Sequence, residues 1–242
     1  MTVRSGTLEL ARELERPETA YLASFTANGV TEDFEVGWDD LAQDTDWARE
    51  RLGAWGLGRG KRVVLSFSGH EGAWFLPVIG ALKQLGVTYA VAETFGQDWR
   101  RTLVFQRELQ PDAVLGITAD TVRALAEQED LAELFGATPI VLGRLDAAPE
   151  LRAAGVATGV LAPFGPTLLV ECPTNPGAHL NGAQWWVGAR RGRLYLSSRP
   201  VRRCSLPETG LGLYGTVLTD RCGCGSDDPR VLVRPRLPLD QD

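Results

Sequence analysis

Lysine is almost missing from this chain: of 25 basic residues only Lys61 and Lys83 are lysines, and the rest are arginines. Chemistry that needs a movable ammonium group therefore has two positions to draw on. Histidine is as scarce, with His70 and His179 alone. No apolar run reaches the roughly 18 residues that span a bilayer. The start, Met1-Thr2-Val3-Arg4-Ser5-Gly6, has no apolar signal segment behind it. These absences predict a cytoplasmic protein with no membrane partner. The formal net charge of −6 argues against non-specific nucleic-acid binding. Four cysteines in an intracellular chain favour metal ligands or free thiols over disulfides.

What is present is ordinary for a globular chain: 242 residues, 44% apolar and 23% charged, enough for a sizeable core. The charge is uneven. Residues 185–236 hold 10 arginines against 4 acids, which reads as a solvated β surface or as a docking face for an acidic partner or anionic ligand.

The pattern predicts a short helix over 7–16, a strand over 20–25, a turn at Asn28-Gly29 and a helix from Asp39 to about Ala54. Strands and helices then alternate: strand 62–67, helix 72–85, strand 88–92, helix 97–109, strand 113–117, helix 119–135 and strand 138–142. This order implies an α/β fold, a mostly parallel sheet flanked by helices. After about residue 160 the pattern changes to short strands at 168–170, 184–187, 193–197 and 231–233. The tail 234–238, with two prolines, reads as extended. The expected organisation is an α/β domain over 1–160 and a β-rich subdomain of the same fold over 161–242.

Two phrases carry soft or borderline metal ligands: Cys172-Pro173-Thr174-Asn175-Pro176-Gly177-Ala178-His179 and Cys222-Gly223-Cys224. Cys172, His179, Cys222 and Cys224 together supply the four protein ligands of a closed, structural zinc site. Cys204 is a substitute should His179 point away. The competing reading is buried free thiols beside a surface histidine. His70 lies in Ser66-Phe67-Ser68-Gly69-His70-Glu71-Gly72, just past the end of a predicted parallel strand, where open α/β sheets bind ligands. Ser68 and Trp74 are its expected neighbours. The alternative makes His70 a loop residue at a helix start, with Glu71 in the first turn. No nucleophile-elbow sequence accompanies it.

The order of motifs resembles the acyl-adenylate-forming ligases, most closely the phenylacetate–CoA-ligase-like branch. Three stretches carry the likeness: Trp38-Asp39-Asp40-Leu41 through Lys61-Arg62-Val63-Val64; Gly80-Ala81-Leu82-Lys83-Gln84-Leu85-Gly86; and Glu171-Cys172-Pro173 with His179-Leu180 and Cys222-Gly223-Cys224-Gly225. The resemblance implies a carboxylate-substrate pocket near His70 and Glu71, as acid/base or acyl-binding groups. It also implies a zinc set in the cysteine phrases. The family's glycine-rich phosphate loop corresponds to Ser24–Asp33, where one glycine stands, no lysine follows, and Glu32 and Asp33 oppose a polyphosphate. The adenine-binding turn corresponds to Phe164-Gly165-Pro166-Thr167, with no acid until Glu171. The ribose-binding aspartate has no counterpart between Pro207 and Thr219, nor does the family's C-terminal lid with its catalytic lysine.

With these departures, the resemblance implies a reduced homologue that no longer uses ATP and magnesium alone. It would bind a small acyl or aryl carboxylate, or its activated form, as an auxiliary protein in a biosynthetic pathway, with a partner protein or as a homodimer. Two alternatives stand beside it. One is an ATP-independent acyltransferase or cyclase acting on a preactivated acyl adenylate or thioester. The other is a surviving acid–CoA ligase with an unconventional site.

Overall fold

The computed structural model describes residues 18–234. The expected helix at 7–16 and all of the expected tail beyond Arg234 lie outside the described residues.

The chain opens with a hairpin, β1 (Thr19–Ala27) and β2 (Val30–Gly37), closed by Asn28 and Gly29. Both turn residues have positive φ, 51° and 78°, as a two-residue hairpin turn requires. Helix α1 (Trp38–Ala54) follows, its first turn tied down by the Asp40 carboxylate, which accepts from Gly37 N at 2.9 Å.

Then come β3 (Arg62–Ser66), α2 (Gly72–Gln84), β4 (Thr88–Ala92), α3 (Trp99–Leu109), β5 (Ala113–Ile117), α4 (Ala119–Ala126), α5 (Leu131–Phe135), β6 (Ile140–Gly143), α6 (Ala147–Ala153) and β7 (Gly159–Phe164). The helix predicted over 119–135 is two helices. Asp130 interrupts it, turning extended so that its carboxylate caps Glu133 N at 3.1 Å. Helix α6 carries no clear apolar period and goes unpredicted.

Antiparallel strands complete the chain: β8 (Thr167–Glu171), β9 (Ala178–His179), β10 (Trp185–Arg190), β11 (Arg193–Ser198), β12 (Thr209–Leu218) and β13 (Arg230–Arg234). The ten-residue β12 is missed by the sequence reading. Its run Thr-Gly-Leu-Gly-Leu-Tyr-Gly breaks up any β-branched signal.

All strands after the hairpin form one sheet of 11, in the order β10-β11-β12-β13-β9-β8-β7-β6-β5-β3-β4. The expectation of a mostly parallel sheet holds only for the half from β7 to β4. The pairings from β7 through β10 are antiparallel. The cause is local. After β7 the chain reverses in a tight turn at Gly165-Pro166 instead of taking a helical crossover.

The central parallel strands β3, β5 and β6 are buried on both faces. Val63, Leu65 and Leu115 face the core beneath α1 and α2, whereas Val64, Val114 and Ile117 face the core of α4–α6. The outer antiparallel strands β10 and β11 bury one face, with Leu194 and Leu196 inward, whereas β8 is buried on both. The two-residue β9 alone joins the antiparallel half to β8: His179 pairs with Val170 on one side and Arg230 on the other.

Candidate functional site

The two cysteine phrases meet in space. Cys172 follows β8, His179 lies on β9, and Cys222 and Cys224 follow β12; their ligand atoms all lie within 4.8 Å of one another. Cys172 Sγ stands 3.3 Å from Cys222 Sγ, and Cys224 Sγ stands 3.5 Å from His179 Nε2. Around a tetrahedral zinc, with bonds of about 2.3 Å to sulfur and 2.0 Å to nitrogen, neighbouring donors sit about 3.5–3.8 Å apart. The donor set and its spacing therefore fit a metal ion held by three sulfurs and one imidazole. Cys204 is not part of the cluster.

The surroundings prepare these ligands. Backbone N–H groups of Thr174 and Asn175 donate to Cys172 Sγ at 3.3 and 3.4 Å. Burial pushes the Cys172 thiol up, but these donors together with hydrogen bonds from Cys222 and Cys224 outweigh it and leave the thiol below its usual range. Cys222 goes the other way, pushed up to about 11 by burial, with its two cysteine neighbours adding to the rise. Burial, with Arg51 nearby, lowers His179, so the ring is neutral and free to ligate at ordinary pH. Its Nδ1 lies 3.2 Å from the Asp228 carbonyl oxygen, which places the proton there and leaves Nε2 to face the sulfurs.

Asp228 also ties the cluster to the rest of the fold. Its carboxylate accepts from Trp47 Nε1 of α1 at 2.8 Å, from Gly182 N at 3.0 Å and from the Ser226 hydroxyl at 3.2 Å. No sequence signal marks Asp228 or Trp47, because 181 residues separate them. Asp228→Ala keeps the carbonyl facing His179 but removes the carboxylate that holds this loop to Trp47 and Gly182, so it is expected to weaken metal affinity by about tenfold through the loop's position. Competition with a chromogenic chelator measures it, and unchanged affinity would reject the role.

The second feature is a cleft at the carboxyl ends of the parallel strands. About 400 Å³ in volume, it is lined by Ser24, Thr26, His70, Trp74, Gly165 and Leu213, among others. A wider cleft of about 1020 Å³ continues past Ser24 and His70 toward Tyr21, Arg203 and Cys204. His70 is exposed at the junction. Trp74 is buried, its Nε1 donating to the Gly165 carbonyl at 2.9 Å, so two expected site residues from distant phrases do meet. Phe164 is fully buried in the core, and Ser68, also buried, bonds Thr94 through its hydroxyl.

Glu71 touches the cleft but is engaged on both oxygens. One accepts from Ser68 N at 2.8 Å and the other pairs with Arg144 at 2.9 Å. Arg144, invisible to sequence reasoning, is buried at the end of β6. It donates to the Gly116 carbonyl at 2.8 Å and lies 4.2 Å over the Phe75 ring. It thereby binds the ends of β5 and β6 to the turn carrying His70. Gly116 itself, at φ +77°, tolerates no side chain, since a Cβ would meet Ser66 O at 2.8 Å.

The stretch aligned with a phosphate loop is the β1–β2 hairpin. Phe25 pairs with Glu32, Thr26 with Thr31 and Ala27 with Val30 in unbroken register. On its outer face Leu22 stands opposite Glu35 and Ser24 opposite Asp33.

This architecture, a helix-flanked sheet running into antiparallel strands, is similar in fold to part of several solved ligases. Among solved structures it is similar to 2-hydroxyisobutyryl-CoA ligase in the postadenylation state in complex with R3-HIB-AMP. There the TM-score is 0.66 at 12% identity, over 91% of this chain and 53% of the ligase. The open conformation of that ligase, in complex with 2-HIB-AMP and CoA, gives 0.65 at 12% identity, over 90% and 57%. An ATP-bound RpMatB-BxBclM chimera gives 0.57 at 11% identity, over 91% and 49%. The chain thus spans about half the length of the ligases it matches, and the likeness is one of fold. No family model and no curated protein matches the sequence. No helix among the described residues is long and apolar enough to cross a membrane.

Proposed function

We propose that this chain binds a small acyl or aryl carboxylate, or its activated form, in the cleft beside His70, and does not itself adenylate it. The observation that carries this reading is the hairpin at Ser24–Asp33. Its backbone is committed to a regular antiparallel ladder closed by a two-residue turn, and its outer face presents Asp33 and Glu35. A polyphosphate needs converging N–H donors and cations there. Neither lysine supplies one: Lys61 pairs with Asp112 at 2.9 Å, and Lys83 sits on α2 away from the cleft lining. The cation at this face, Arg203, is already engaged by Glu35 at 3.0 Å and by Glu18. Zinc is the proposed metal, in a structural role, since four protein ligands leave no open position. The protein then serves as an auxiliary binding partner in a biosynthetic pathway.

His70→Ala is expected to weaken binding of an aryl carboxylate by about tenfold or more, the size of a lost hydrogen bond to a charged group. Metal content and circular dichroism should not change. Equal affinity of variant and parent for every acid in a panel would remove His70 from the site.

One observation favours a second reading, ATP-independent acyl transfer. The exposed His70 imidazole has no hydrogen-bond partner among the described residues and so is available as a general base on a preformed thioester. Turnover of acyl thioesters that disappears in His70→Ala would support it over pure binding.

A further inference from the structure

We infer that the free edge of β10 is a docking site for an extended acidic polypeptide segment. Among the described residues no strand pairs with the outer side of β10, which ends the sheet. Arg199 N donates to Gln184 O at 2.9 Å, and the Arg191–Gly192 turn closes the Arg190–Arg193 pair. In an antiparallel ladder hydrogen-bonded and non-bonded pairs alternate. Trp186, Gly188 and Arg190 thus bond inward to β11, while Val187 and Ala189 turn their N–H and C=O groups outward. Two such residues offer an incoming strand four backbone hydrogen bonds.

The side chains on this edge select its charge. Glu208 is the one acid between residues 185 and 219, and Arg190 pairs with it at 2.6 and 2.8 Å with both side chains at least half exposed, where an incoming carboxylate can compete for the guanidinium. Arg199 lies 4.9 Å over the Trp186 ring, which is 56% exposed, and Arg190 lies 5.4 Å over Tyr195. A guanidinium group over a ring face keeps edge N–H groups for carboxylates. Between Trp186 and Arg190, Gly188 has nothing within 4 Å of a Cβ position, leaving room for a partner side chain. A segment with acids at alternate positions fits both features at once.

The backbone edge is of no use to a nucleic acid, and the overall charge of −6 repels a long polyanion beyond this patch. A second copy of the chain would bring two arginine-rich edges together, which like-charge repulsion opposes.

The test is fluorescence anisotropy of a labelled heptapeptide of alternating glutamate and valine with the full, zinc-loaded chain. Saturable binding is expected, with none for the lysine–valine counterpart. Ala189→Pro removes an outward N–H that β11 does not use, a change an edge strand tolerates. It should weaken binding at least about tenfold, as should Arg190→Glu combined with Arg199→Glu, with circular dichroism unchanged. The inference falls if the acidic peptide fails to bind or binds these variants equally. It also falls if a 20-nucleotide oligothymidylate binds in the peptide's place, or if sedimentation shows a dimer that Ala189→Pro dissociates.

Discussion

Stripping the metal with a strong chelator should lower the thermal midpoint by about 8–16 °C. The effect originates at β9. This two-residue strand is the single pairing joint between β8 and the β10–β13 ladder, and one of its two residues is His179 of the cluster. The three cysteines of the cluster come from the loops after β8 and β12. Without a cation, a thiol held below its usual range, one pushed up to about 11 and a neutral imidazole crowd one buried spot. A ligand at about 1,000 times its dissociation constant stabilises the folded state by about 4 kcal/mol. For a chain of this size each kcal/mol is worth about 2–4 °C. The loss should register first in the tryptophan signal, because Trp185 packs in the inner core of the ladder and Trp47 reaches the metal loop through Asp228. Differential scanning fluorimetry with and without chelator measures it; an unchanged midpoint in metal-free protein would show that the cluster holds no structural ion.

The second large effect falls on a residue that the sequence suggests as an acid or base. Glu71→Ala should cost about 3–5 kcal/mol of stability, because it leaves the Arg144 guanidinium buried without its counter-ion. The two side chains are only 7% and 14% exposed, so solvent does not take over the pairing. Burial already pulls the Arg144 guanidinium below its usual range, and Glu71 is the main influence opposing that. The same substitution removes the carboxylate that accepts from Ser68 N and shapes the turn under His70. Glu71→Gln keeps an acceptor there and should recover part of the loss. Chemical denaturation of the three proteins decides the matter. A fully stable Glu71→Ala variant would return Glu71 to the free carboxylates available for chemistry.

The Cys172, His179, Cys222 and Cys224 cluster is legible in the sequence because each pair sits in a short phrase with turn residues between its members. The helix-flanked parallel strands were legible for a similar reason, with β-branched runs separated by glycine stops. What escaped is long-range. Arg144 looks like any arginine until β5, β6 and the His70 turn converge on it, and Asp228 acquires its partners from α1 and the loop before β10. Strand β12 was hidden by its glycines. The extent of antiparallel pairing was hidden because a tight turn at Gly165 differs from a crossover by only a few residues. The cleft was half legible: Trp74 and Gly165 meet as lining groups, while Phe164 serves the core and Ser68 bonds Thr94.

We propose a ligase-like fold that receives a carboxylate without activating it. Its most direct test is a calorimetric titration of Mg-ATP into the zinc-loaded protein, with and without aryl acids, followed by a pyrophosphate-release assay on the same samples. The account predicts no heat from Mg-ATP, no pyrophosphate, and saturable binding of at least one acid. Saturable Mg-ATP binding with acid-dependent pyrophosphate release would contradict it, and would show that the Ser24–Asp33 hairpin opens to hold a polyphosphate.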